Sequence, residues 1–114
     1  MKCILLMYAD PYATKAMSAS ERETVASKHG AFVAGLSESR ELLDGAGLDC
    51  SWNTKTLGWK PGSPSSTDGP LSDALEQLTA YYVVECANIE HALDLAQQIL
   101  DFHVTAVEVR PIHT

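Results

Sequence analysis

The sequence predicts an α+β protein in which an antiparallel sheet carries two helices on one face. Three observations favour this fold class. The predicted elements follow the order strand, helix, two strands or a hairpin, strand, helix and strand, which is the order of a split βαβ, ferredoxin-like sheet. Both helices have a capping residue and an apolar stripe at helical spacing. The first strand is apolar on both sides, which is typical of a strand covered on both faces.

The first strand and the first helix are the clearest elements. The strand is predicted over residues 2–9, where apolar side chains alternate between the two faces. The helix begins at Ser18 or Ser20, because each is followed three residues later by Glu in the manner of a capping box. It is expected to end near Glu41. Its apolar stripe consists of Val25, His29, Phe32 and Leu36.

The rest of the chain supplies the remaining strands and the second helix. The second strand carries a glycine-rich kink, and residues 61–70 are predicted to form a surface loop because they are rich in Pro, Gly and Ser. Asn88 is the expected cap of the second helix. The later strands are predicted over residues 42–52, 54–60, 78–86 and 104–110.

Length and charge restrict the classes of protein that fit. The 114 residues are predicted to form a single domain, 1–114. The net charge is −7 and the eight Lys and Arg residues are scattered, so neither nucleic acid nor an anionic membrane surface is an expected partner. The apolar run after Met1 is too short for a signal-peptide core. The chain is therefore predicted to be cytoplasmic.

The cysteines and histidines show no metal-site pattern. Cys3, Cys50 and Cys86 are odd in number and form no Cys-x-x-Cys unit, so free thiols are expected. The four histidines lack His-x-x-x-His spacing, and His91 and His103, which flank the second helix, are expected to face solvent. The sequence also lacks a glycine-rich dinucleotide or phosphate motif. Neither a metal nor a cofactor is therefore predicted.

The predicted sheet has one face that no helix covers. Because the first strand is apolar on that face too, a monomer would expose a large apolar patch. Packing the two open faces together in a homodimer removes that patch. The sequence therefore predicts a homodimer of the α/β-barrel type.

Several short motifs stand out along the chain. Residues 67–70 read Thr-Asp-Gly-Pro, a rigid turn, and residues 107–112 read Val-Glu-Val-Arg-Pro-Ile, an alternating strand stopped by proline. Residues 43–48 read Leu-Asp-Gly-Ala-Gly-Leu, and Glu-Gln-Leu at 76–78 is followed by Tyr81. In order and spacing these motifs resemble the YCII-related family, in the branch named after an Asp-Gly-Pro-Phe motif. The likeness spans nearly the whole chain.

This resemblance implies a dimeric α/β-barrel fold and, by analogy with a few relatives, a small cofactor-free enzyme that acts on hydroxylated, ring-type substrates. In those relatives a His on the first helix, assisted by an Asp after the second strand, is thought to move protons. The matching positions here are His29 and Asp49. The chain departs from the family pattern at Ala46, where the family has Glu, and at Leu71, where it has Phe.

His29 is the main candidate for chemistry. An imidazole titrates near neutral pH and can act as an acid or a base. A carboxylate such as Asp49 would fix its tautomer and raise its pKa. The alternative is a histidine at the edge of the core that bonds to a backbone carbonyl.

Four further residues are candidates for substrate binding, each with a structural alternative. Asp68 could orient a ligand or build its own turn. Arg110 could bind an anionic substrate, pair with the glutamate two residues before it, or pair across the dimer. Tyr81 and Tyr82 point to opposite faces, so only one of them, predicted to be Tyr81, lines the open-face cleft. Trp52 could cover an apolar pocket or serve only in packing.

Two functions are consistent with the sequence. The first is a cofactor-independent enzyme in which His29 and Asp49 move a proton during isomerisation, elimination or cyclisation of a small oxygenated ring-type metabolite. The second is a non-catalytic dimer that binds a small molecule or a partner protein, which the departures at Ala46 and Leu71 favour.

Overall fold

The computed structural model describes residues 1–113 of the chain, and within them a four-stranded antiparallel sheet and a separate hairpin. The strands are β1 Lys2–Ala9, β2 Leu42–Gly47, β3 Lys55–Lys60, β4 Ser63–Asp68, β5 Gln77–Glu85 and β6 Ala106–Pro111. The helices are α1 Pro11–Lys15, α2 Ala19–Glu38 and α3 Ile89–Gln98. The main sheet has the order β2-β5-β1-β6, and all three pairings are antiparallel. This confirms the predicted ferredoxin-like α+β fold.

The hydrophobic core lies between the sheet and the two long helices. Alternate residues of β1 and β5 point into it, and α2 and α3 contribute to the same cluster, so both helices lie on one face as predicted. The largest fully buried side chains are Cys3, Leu5, Met7, Val84 and Ile99. Residues 1–113 therefore share one hydrophobic core, with β1 at its centre.

The two long helices begin where the sequence indicates. Ser18 caps α2 with a complete capping box, in which its hydroxyl accepts from Glu21 N and the Glu21 carboxylate accepts from Ser18 N. Asn88 caps α3 by accepting from His91 N. α2 ends at Glu38, earlier than predicted, because Arg40 adopts a left-handed conformation with φ of 62°.

The second strand is shorter than predicted. β2 ends at Gly47, and residues 51–53 form a 3₁₀ turn instead of continuing the strand to residue 52. The kink was predicted at Gly45 and Gly47, but the irregularity lies earlier in the strand, as a β-bulge between Leu42 and Asp44. Beyond the bulge, Gly45 packs directly on the ring of Tyr82, where a larger residue would not fit.

The predicted loop at residues 61–70 is largely a strand. Residues 63–68 form β4, which pairs with β3 in a hairpin outside the main sheet. Gly62, with φ of 88°, makes the turn of this hairpin, and Gly69, with φ of 94°, ends it. The hairpin exposes Leu57 and Trp59, so it is not part of the core.

The sheet face opposite the helices carries half-buried apolar side chains. Ile4, Leu6 and Tyr8 of β1 lie there, next to Val83 of β5. The face is thus apolar at its centre, as predicted. No helix in residues 1–113 is long and apolar enough to cross a membrane.

Candidate functional site

A cavity of about 460 Å³ lies between α2, the end of β2, β5 and the loop after α3. Its wall is mainly apolar. The polar side chains in the wall are Thr14, His29, Thr79, Tyr82 and His103. Within the described part of the chain, no carboxylate lines this cavity, even though the protein carries 15 Asp and Glu residues.

His29 and Tyr82 form a hydrogen-bonded pair in the wall of the cavity. The Nδ1 atom of His29 lies 2.5 Å from the hydroxyl oxygen of Tyr82. α2 supplies the imidazole from the same stripe that packs Phe32 into the core, and β5 supplies the phenol from its helix-facing side. Phe102 packs edge-on against the imidazole, with 4.6 Å between ring centroids. The imidazole is therefore held on two sides by aromatic rings.

Burial sets the charge states of this pair. Loss of water around the ring lowers the pKa of His29 from its ordinary value of 6.5, and burial raises the pKa of Tyr82 above 10.0. The pair is therefore neutral at pH 7. A neutral imidazole has one donor and one acceptor nitrogen, so either the phenol donates to Nδ1 or Nδ1–H donates to the phenol oxygen.

Asp49 lies outside this cavity, which corrects the predicted His29–Asp49 pair. Because β2 ends at Gly47, the chain turns away before residue 49, and the exposed Asp49 carboxylate accepts from Cys50 N at 2.7 Å. The histidine is paired with a phenol instead of a carboxylate. Its pKa is accordingly lowered, in contrast to the rise that a carboxylate partner would cause.

The tyrosine at the cavity is Tyr82, whereas Tyr81 is the predicted binding residue. Tyr81 lies on the open face, where its hydroxyl donates to Asp44 Oδ2 at 3.1 Å, and this contact raises the pKa of Tyr81. Strand alternation separates the two rings, as expected. The signal that could have identified Tyr82 is the apolar stripe of α2. That stripe places His29 on the core side, where Val84 of β5 also points. Because Tyr82 lies two residues from Val84, it is on the same face of β5 and can meet His29.

The other predicted binding residues lie away from His29. Asp68 forms an ion pair with Lys55 across the hairpin, and Trp52 packs against Tyr12 with 5.7 Å between ring centroids. The Arg110 guanidinium lies 3.9 Å from the Glu108 carboxylate on the open side of β6. None of these three lines the His29 cavity.

A second, wider cleft of about 1010 Å³ separates the hairpin from the open face of the sheet. Its wall includes Tyr8 and three carboxylates, Asp49, Glu76 and Glu108. A hydrogen bond to Glu108 raises the pKa of the Tyr8 phenol. None of the described residues that line this cleft is a histidine, so the candidate for proton transfer remains the smaller cavity. Across residues 1–113, no cluster of three or more His, Cys, Asp or Glu side chains is arranged to hold a metal ion.

Sequence comparison finds a family match over the whole chain. The YCII-related domain matches residues 1–114 of the chain. The protein belongs to the YCII-related family. This family member is similar to an uncharacterized protein of Rhizobium meliloti. The two are 31% identical over 110 residues, which cover 95% of this chain and 89% of the relative.

The two residues that depart from the family pattern lie in different pockets. In this YCII-related protein Ala46 forms part of the wall of the His29 cavity. The second departure from the expected pattern, Leu71, lies in the wider cleft and is almost fully exposed.

Proposed function

We propose that this protein binds a small, mainly apolar, oxygenated ring-type molecule in the cavity beside His29, and that His29 transfers a proton to or from it. The reaction class would be isomerisation, elimination or cyclisation, and no cofactor is required. The observation that carries the proposal is the 2.5 Å contact between His29 Nδ1 and the Tyr82 hydroxyl in a cavity without carboxylates.

The pair suits proton transfer from a neutral starting state. When Nδ1–H donates to the oxygen of Tyr82, Nε2 is the basic nitrogen and the phenol proton is available to a ligand oxygen. Nε2 then accepts a proton from the ligand while Tyr82 stabilises negative charge that develops on the ligand oxygen. Burial keeps His29 unprotonated before reaction, as a base requires.

The cavity wall supports this class of ligand. Its volume of about 460 Å³ is within the range typical of small-molecule sites. Apolar residues such as Met17, Val25 and Val33 form much of the wall, and two threonines also lie in it. These features favour a ring with one or two oxygen substituents over a strongly cationic or highly charged ligand.

A second function, ligand binding without catalysis, is supported by the nature of the partner of His29. Tyr82 is a neutral phenol with a raised pKa, so it does not stabilise an imidazolium as a carboxylate does. A binding protein would use the same two groups only as a donor and an acceptor for the ligand.

A ligand screen distinguishes these functions. Wild type, His29→Gln and Tyr82→Phe are tested by thermal shift against phenols, quinols, lactones and polyketide-like rings, and the compounds that bind are assayed for conversion. His113→Gln, which alters an exposed histidine, is the matched control. Conversion by wild type and His113→Gln that is lost in His29→Gln supports the enzyme. Binding that weakens in His29→Gln and Tyr82→Phe but not in His113→Gln, without conversion by any of the proteins, supports the binding module.

We further propose that the protein is a homodimer that packs its open sheet faces together. The described chain exposes 7482 Å², whereas a monomer of 12.3 kDa typically exposes about 6,100 Å². The half-buried apolar residues Ile4, Leu6 and Val83 lie at the centre of that face. Contact between two copies there would remove part of the excess surface.

Sedimentation equilibrium tests the dimer. Leu6→Glu places a charge at the centre of the open face and is expected to yield monomers. Leu93→Glu, on the exposed side of α3, is the matched control and should sediment as wild type does. Monomeric wild type at micromolar concentration would contradict the proposal.

A further inference from the structure

His103 lies at the rim of the same cavity as His29, and it is exposed to solvent, as predicted. Its neighbour in sequence, Phe102, is buried and packs edge-on against the His29 ring. The loop after α3 thus brings a second imidazole to the cavity. No local pattern indicates this position, because Lys28 of α2 and Asp101 of this loop are 73 positions apart in the chain.

A carboxylate holds the His103 ring. The Nε2 atom of His103 lies 3.3 Å from Oε2 of Glu21. The other oxygen of that carboxylate, Oε1, accepts from Ser18 N at 3.0 Å, and Glu21 N donates to Ser18 Oγ at 3.1 Å. Because the capping box already fixes Glu21, the carboxylate provides a defined acceptor for His103 Nε2–H.

The loop is anchored by the two residues that precede His103. Lys28 Nζ donates to Asp101 Oδ2 at 2.8 Å, which ties the loop to α2. His103 itself has φ of 58°, a left-handed conformation that is uncommon for any residue other than glycine. Held this way by the buried Phe102 and the ion pair, the backbone directs His103 toward α2 and the cavity.

We propose that His103 is a second acid–base residue of this cavity, that it acts through Nδ1, and that Glu21 is its positioning residue. With Nε2–H donated to Glu21, Nδ1 is the nitrogen available to a ligand. His29 has the opposite arrangement, because its Nδ1 is occupied by Tyr82. This inference rests on the proposed function, since it assigns a second group to the same site.

Two imidazoles favour a reaction in which one proton leaves the ligand and another enters it. In an elimination of water, His29 Nε2 takes a proton from carbon, the C–O bond breaks, and the protonated His103 gives its Nδ1 proton to the departing hydroxyl. The products are the alkene and water. His29 is then cationic and His103 neutral, and proton exchange with solvent restores both rings.

Glu21→Gln tests the positioning role with little disturbance to the helix. Gln also satisfies a capping box, so its Oε1 can still accept from Ser18 N. Its amide NH₂ then faces His103 and donates to Nε2. The proton of the neutral ring must therefore move to Nδ1. Glu23→Gln, which alters an exposed glutamate on the same helix, is the matched control.

Long-range ¹H–¹⁵N spectra of histidine-labelled protein, recorded where the rings are neutral, report the tautomer of each ring. The expected result is the Nε2–H tautomer for His103 in wild type and Glu23→Gln, and the Nδ1–H tautomer in Glu21→Gln. An Nδ1–H tautomer in wild type, or no change in Glu21→Gln, would overturn the positioning role. A merely structural glutamate would leave these signals unchanged.

Adding 4-methylphenol as the probe tests contact with a ligand. The ¹⁵N signals of His103 Nδ1 and His29 Nε2 are both expected to shift on saturation. His103→Asn, chosen because Asn tolerates positive φ, is expected to weaken binding by about threefold to tenfold, as for loss of one hydrogen bond. Shifts at His29 alone, with unchanged affinity in His103→Asn, would overturn the inference and leave the proposed function standing. Absence of a shift at either ring would count against both.

Discussion

Gly45 of β2 lies directly on the aromatic ring of Tyr82. A Cβ atom at position 45 would be 2.5 Å from Cδ1 of that ring and 3.2 Å from the carbonyl oxygen of Tyr81. The same ring carries the hydroxyl that contacts His29 Nδ1. The absence of a side chain at position 45 therefore sets the position of the phenol at the cavity.

Gly45→Ala is expected to destabilise the fold by about 1–3 kcal/mol, because the methyl group overlaps a buried ring that has little room to move. It should also displace the Tyr82 hydroxyl from His29. Urea unfolding measures the first effect and the imidazole ¹⁵N signals of His29 the second. Gly47→Ala in the same strand has open space at its Cβ and should cost far less. Equal stability of the two variants would contradict the predicted overlap.

Tyr82→Phe is expected to lower the free energy of unfolding by about 1–2 kcal/mol, because it leaves Nδ1 of a half-buried imidazole without its partner. Tyr81→Phe removes the same atom from the neighbouring residue, where the lost hydrogen bond to Asp44 is solvent-exposed. Its effect should remain within about 0.5 kcal/mol. A larger loss of unfolding free energy in Tyr81→Phe than in Tyr82→Phe would contradict this prediction, because the hydrogen bond on the open face would then be the more stabilising one.

The stability of the protein should fall as pH is lowered through 6.5, because burial lowers the pKa of His29 below that ordinary value. The unfolded chain then binds a proton that the folded chain does not, and the difference favours unfolding until the folded pKa is reached. Contributions from Glu41 and Asp101, whose pKa values are lowered from 4.5 and 3.8 by hydrogen bonds to His91 and Lys28, are lost only at lower pH.

Urea titrations from about pH 8 to about pH 5.5 check this dependence. His29→Gln should flatten the curve in that range, while His113→Gln, at an exposed position, should keep the slope of wild type. If the slope persisted unchanged in His29→Gln, another group would have to be responsible.

The three free thiols should differ in reactivity. Cys3 and Cys86 are buried, with 3.6 Å between their sulfur atoms, and burial raises the pKa of Cys86 to about 11. Since the thiolate is the reactive form, Cys50 alone is expected to react rapidly with Ellman's reagent in the folded protein, and all three in urea. The Cys50→Ser variant should lose the rapid phase. A rapid phase that survives this substitution would contradict the assignment.

The elements that the sequence predicts well are those whose pattern comes from the core. β1 was predictable because both faces are apolar, and α2 because Ser18 completes a capping box before an apolar stripe. The hairpin strand β4 was missed because it is largely exposed on both sides, so no alternation marks it. α1 was missed although Asp10 and Pro11 form a helix-start signal, because the same pair also ends β1.

The candidate site was predictable only in part. His29 was identified from its place on α2, but its partner required knowing which face of β5 meets that helix. Asp49 was chosen by position after β2, and the early end of that strand removes it from the cavity. His103 depends on a loop at the far end of the chain, which no local pattern connects to α2.

The cavity is assembled from segments at both ends of the chain, with His29 on α2 and His103 just before β6, and the Lys28–Asp101 pair joins them. A ligand held there can bind only after the last strand has docked. Ligand binding should therefore raise the free energy of global unfolding more than the free energy of local fraying. In hydrogen exchange, a saturating ligand would slow the amides of Cys3 and Leu5 in the central strand β1, which do not line the cavity, as much as those of residues that do.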